Sequence, residues 1–97
     1  MFKAISIHLK NDITKPSSCL DIETIKLDVS NQIRTRYIVQ KELVYAMVKE
    51  GVKIIVDNPK TKHTAELITA ESKYGEKYVR SEPDDVISDN LLELPRF

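Results

Sequence analysis

The hydrophobic period of this chain changes once, near its middle, and then changes back. Ile5, Ile7 and Leu9 alternate with Ala4, Ser6, His8 and Lys10, and Ile25, Leu27 and Val29 alternate with Thr24, Lys26 and Asp28. That is the period-two pattern of strands with one buried face. From Val39 to Glu50 the spacing is helical: Leu43, Val44, Met47 and Val48 make one apolar stripe, with Lys41, Glu42, Lys49 and Glu50 elsewhere on the wheel. Gly51 suits the left-handed position that closes a final helical turn, and Val52, Ile54 and Val56 resume alternation at once. One helix set between two groups of strands buries its stripe only against a sheet, which predicts a two-layer α+β domain.

The remaining punctuation gives an order. Asn11 to Asp21 has the Asn, Asp, Pro and Ser content of a surface loop, and Ser30-Asn31-Gln32 turns the chain into a third strand over Ile33 to Tyr37. Asp57-Asn58-Pro59-Lys60 is a turn, Thr64 to Glu71 reads as a strand, and Lys73-Tyr74-Gly75-Glu76 reads as a hairpin loop into Lys77-Tyr78-Val79-Arg80. The expected fold is β-β-β-α-β-β-β, a mostly antiparallel sheet with one helix packed on one face. With 97 residues there is room for one domain and one core. Residues 82–97 are expected to be an ordered tail docked on the sheet.

Charge excludes little but does give a direction. Fifteen basic and fifteen acidic residues cancel, so the molecule as a whole has no field that would draw in nucleic acid or an anionic membrane. A local excess remains at Arg34, Arg36 and Lys41, where Tyr37 offers a stacking ring, and this makes nucleic-acid binding the alternative function. Cys19 is the single cysteine, so neither an internal disulfide nor a paired-thiol metal site is expected, and in a polar loop it reads as a tolerated surface thiol. The two histidines, His8 and His63, are far apart, and two glycines cannot build a phosphate-cradling loop. No cofactor, metal or catalytic residue is expected. No window approaches the length of a membrane span, and the opening residues lack an apolar signal core, so a cytoplasmic protein is expected.

The richest pattern lies at the end of the chain. Tyr78 and Arg80 share one face of the last strand, Asp84, Asp85 and Asp89 follow, and Asn90, Leu91 and Leu94 lead to Pro95. Arg80 suits a clamp on the acidic turn through paired hydrogen bonds, or an anchor for an outside carboxylate. Leu91 and Leu94 suit either a seal on the core or a patch for another protein. Tyr78, Arg80, Asp84, Asp89, Asn90, Leu91 and Leu94 together form the candidate partner or anion-binding patch. An acidic enzyme site around Arg80, Asp84 and Asp89 has the least support, because no base and nucleophile stand together.

The run Lys77-Tyr78-Val79-Arg80-Ser81, then Asp84-Asp85, then Asp89-Asn90-Leu91-Leu92-Glu93-Leu94-Pro95 resembles the signature of a small family of bacterial and phage-type domains, domain of unknown function 3892. Met47-Val48-Lys49-Glu50-Gly51 fits the helix end of that family. The resemblance implies a small α+β fold and brings no activity, cofactor or substrate. The expected function is therefore a non-enzymatic interaction or regulatory domain whose partner is another protein, with a homodimer through a sheet edge as a second form of the same idea.

Overall fold

The computed structural model describes residues 2–10, 18–29, 35–60, 62–82 and 90–97. Six strands, β1 (Phe2–Leu9), β2 (Ile22–Val29), β3 (Thr35–Gln40), β4 (Ile54–Asp57), β5 (Thr64–Glu71) and β6 (Lys77–Ser81), share one sheet with one helix, α1 (Lys41–Lys49). Single 3-10 turns stand at Cys19–Asp21 and Asn90–Glu93. The fold is α+β. Its sheet is mixed, in the order β3-β2-β1-β4-β5-β6, because β1 and β4 run parallel while every other pair is antiparallel. The sheet is thus mostly antiparallel, as expected, with β1–β4 as a parallel pair that the strand order expected from sequence did not specify. Helix α1 crosses over from β3 to β4, so β4 must run the way β3 runs, which is also the way β1 runs.

Several boundaries move for local reasons. The third strand is found at Thr35–Gln40, and the helix starts at Lys41 rather than Val39. Ile38 and Val39 are stiff β-branched residues and pair with Lys26 and Ile25 across the sheet. In β1 the register slips between Ala4 and Ser6, leaving Ile5 as an extra residue, so Ala4 and Ile7 are buried and the plain Ile5/Ile7/Leu9 face is broken. Strand β2 keeps Ile25 and Leu27 inside as its alternation predicts.

Gly51, at φ 98°, ends α1 with Gly51 N donating to Val48 O and Val52 N to Met47 O, both at 3.0 Å. The buried stripe of the helix is carried by Lys41, Val44 and Tyr45, whereas Leu43 is exposed. α1 packs chiefly on β5 and β6 and also touches β2 and β3, so the two ends of the sheet curl toward it. No helix among the described residues is long and apolar enough to cross a membrane.

Cys19 corrects the surface-thiol reading: it is buried in the core cluster. Ser18 caps its turn, accepting from Leu20 N at 3.2 Å, while Asp21 accepts from Ser18 N and gives its carbonyl to Lys10 N at 2.8 Å. The cap pins residues 18–21 against the end of β1 and points the thiol inward. Cys19→Ser is expected to cost about 1–2 kcal/mol, since it moves a hydroxyl into an apolar site. Urea denaturation checks this, and a change under about 0.5 kcal/mol, the usual surface value, would return the thiol to the surface class.

Candidate functional site

Position 41 sits at the start of the stripe 41/44/45/48, so the helical period turns a lysine inward. Its aliphatic stem packs well there, but its ammonium has to find acceptors. Lys41 is 2% exposed, and its Nζ donates to Leu20 O at 3.0 Å and to Glu76 Oε1 at 2.7 Å. Lys10, just past β1, donates to the same oxygen at 2.7 Å. Glu76 is placed by the hairpin loop: Ser72 Oγ accepts from Tyr74 N and Glu76 N, Ser72 N donates to Glu76 O, and Gly75 turns the chain at φ 84°.

Two ammonium groups on one carboxylate oxygen shift all three groups. Hydrogen bonds from Lys10 and Lys41 pull the Glu76 carboxyl down to about 2. Burial pushes Lys41 below the usual lysine range, and the bond to Glu76 raises Lys10 above it. Lys10 and Lys41 open with Glu23, Gln40 and Glu42 onto a cleft of about 280 Å³. Lys41 lies at its floor, and Glu23, Gln40 and Glu42 are exposed at its rim.

The residues expected to form the C-terminal patch are split between surface and core. Tyr78 is half-buried on β6, and Arg80 is exposed on the same strand and does not stand free. Asp84, Asp85 and Asp89 lie outside the described residues. Asn90, Leu91 and Leu94 are buried, so their side chains are withdrawn from any partner. Asn90 Oδ1 accepts from Asn58 Nδ2 at 2.8 Å and Asn90 N donates to Ser81 Oγ at 3.1 Å, a polar pin that turns both leucines into the core. Beyond them the tail lies beside β1 where the short β4 has ended: Ile7 N donates to Pro95 O at 2.9 Å, Phe97 N donates to Ile7 O at 3.0 Å, and Ile7 and Arg96 form a parallel bridge. Phe97 then covers His8, with ring centroids 5.6 Å apart, under Lys26 Nζ at 4.8 Å.

The basic stretch is divided too. Lys41 is inside and ion-paired, Arg36 is exposed, and Arg34 is outside the described residues. What remains at the surface there is the edge of the sheet. β3 pairs with β2 over its whole length in a regular register and has no strand on its other side among the described residues. Tyr37 is 51% exposed and Ile38 63%, on opposite faces by alternation.

Neither the lysine cluster nor the β3 edge was singled out by the sequence patterns as read. The 41/44/45/48 spacing could have shown Lys41 turned inward, whereas nothing local marks Glu76 as its partner. Among the described residues no three His, Cys, Asp or Glu side chains are grouped to hold a metal ion.

The chain belongs to the family described as Protein of unknown function (DUF3892), whose profile matches residues 10–95. No curated protein and no solved structure matches it.

Proposed function

We propose that this DUF3892 chain is a small non-enzymatic interaction domain that takes an extended segment of another protein along the open edge of β3. The observation that carries this reading is that, among the described residues, no strand pairs with that edge and no bulge or proline blunts it. Natural sheets blunt their edges with lysine, proline, bulges or very short strands, because unpaired backbone groups otherwise recruit another strand. Thr35–Gln40 carries one charge, Arg36, but neither Lys nor Pro, keeps a regular register, and exposes Tyr37 and Ile38. The opposite edge, β6, is shorter and carries two charges, Lys77 and Arg80.

An added strand would satisfy backbone groups, while apolar side chains opposite Tyr37 and Ile38 would supply specificity. Arg36 makes no ion pair among the described residues, so an acidic residue beside it fits the same partner. The nucleic-acid reading loses support, since Lys41 is drawn off the outer surface into its ion pair with Glu76, which leaves Arg36 as the exposed cation of that stretch among the described residues.

The test compares what the intact chain retains from its native cell at moderate salt with what Tyr37→Lys and Ile38→Lys retain. Both variants are expected to keep the melting midpoint, as surface changes usually do, and to lose the same bound protein. Retention of that protein by both variants would sink the edge reading. A second copy of this chain as the only species retained would redirect it to a homodimer.

A further inference from the structure

The cleft beside α1 has polar groups to spare on both its floor and its rim. An ammonium offers three donors. Lys41 uses two, on Leu20 O and Glu76 Oε1, and Lys10 uses one on Glu76 Oε1. One donor of Lys41 and two of Lys10 therefore have no acceptor among the described residues. The two ammonium groups cannot be far apart, since each lies 2.7 Å from the same oxygen. With Glu76 counted, this floor carries one surplus positive charge.

The rim is the reverse. Glu23 and Glu42 carry no ion pair among the described residues, and the Gln40 amide makes no capping bond to α1. A dianion would meet two carboxylates on its way in, and a simple cation would meet two ammonium groups at the bottom. The ligand that answers both has one negative end and one positive end. The cleft, at about 280 Å³, suits a small molecule.

We infer that this cleft binds a small amino-acid-type zwitterion, its carboxylate on the Lys10 and Lys41 ammonium groups and its own ammonium on Glu23 and Glu42. The carboxylate accepts charge-assisted hydrogen bonds from the donors that Glu76 leaves unused, and the amine returns the same kind of bond to the rim. This site adjoins the end of β3 at Gln40 but uses none of the edge residues Arg36, Tyr37 and Ile38, and it stands whether or not that edge binds a partner.

Matched probes test it on the intact chain at neutral pH, followed by amide chemical shifts. δ-Aminovalerate and its isomer L-valine carry both charges, valerate carries the carboxylate alone, and pentylamine carries the amine alone. At least one of the two zwitterions is expected to bind about tenfold more tightly than either single-charge analogue, with shifts centred on residues 10, 23 and 40–42. Lys41→Met should weaken that zwitterion about tenfold. Lys10→Gln, at a partly exposed position, should do so too even if the buried substitution disturbs folding. Glu23→Gln with Glu42→Gln should remove the preference over valerate. Equal binding of valerate, shifts elsewhere on the molecule, or no shift up to about 10 mM of either zwitterion would overturn the assignment.

Discussion

Cutting the chain after Asp85 is expected to abolish cooperative folding. The cut removes Leu91 and Leu94, 0% and 4% exposed, and burying a leucine and then deleting its side chain costs about 2–5 kcal/mol each. It also removes the backbone pairing of Pro95 and Phe97 with Ile7, uncovering part of a central strand, and takes from the buried Asn58 Nδ2 its acceptor on Asn90. Losing a buried hydrogen bond of this kind costs about 1 kcal/mol more. Against a total stability of about 5–15 kcal/mol, these losses leave little margin. Circular dichroism on heating should show a broad, weak transition for the shortened chain. The single substitution Leu91→Ala should keep a sharp transition at a lower midpoint, by roughly 10 °C or more for a domain this small. An unshifted midpoint after the cut would mean the tail is a recruiting peptide with no structural part.

How far that arrangement could be read from sequence depends on where its causes lie. Leu91 and Leu94, three residues apart and followed by Pro95, suited either a seal on the core or a patch for another protein. Their destination came from elsewhere, because it depends on β4 stopping at Asp57 and leaving a place beside Ile7. The change of period at α1 and the glycine that closes it were local facts, and the helix lies within two residues of where they put it. The bulge at Ile5 is not local: it is a mismatch with Leu27 and Lys26 on another strand, so alternation alone pointed Ile5 inward and left Ala4 out. Cys19 misled for a similar reason. A short polar loop reads as surface, but the Ser18 and Asp21 cap turned one residue of it into the core.

Of the candidate site, only Lys41 had a signal, in its helical spacing with Val44, Tyr45 and Val48. Lys10 and Glu76 are 66 residues apart in sequence and meet through the curl of the sheet. Leu43 stood in the predicted stripe and is exposed, while Lys41 took the inward place. Polarity at a single position was a poor guide because a lysine stem is as apolar as a methionine and its charge is met by a carboxylate across the cleft.

A buried stem with a paired charge makes the two substitutions at position 41 unequal. Lys41→Met should leave stability within about 1.5 kcal/mol of the parent, since volume is kept and the need for buried acceptors disappears. Lys41→Ala empties the same space and should cost about 2–5 kcal/mol. Glu76→Gln should also destabilise the parent, because it leaves the buried ammonium with a backbone carbonyl and a weaker amide acceptor, and adding Lys41→Met should recover part of the loss. The acid limb carries a second signature. The Glu76 carboxyl falls from its ordinary 4.5 to about 2 on folding, held by Lys10 and Lys41. A depressed carboxyl contributes stability that is complete above the unfolded value and disappears as pH falls through the folded one. The stability gap between the parent and Glu76→Gln should therefore be steady above about pH 5 and close progressively between 4.5 and about 2. Asp57, lowered by Lys3 and Thr64, adds acid sensitivity of the same sign to both proteins and so cancels in the difference. Urea titrations of both proteins across that range read the gap directly. A gap that holds constant down to pH 2 would show that the two lysines do not depend on the Glu76 charge, and the floor of the cleft would need a different account.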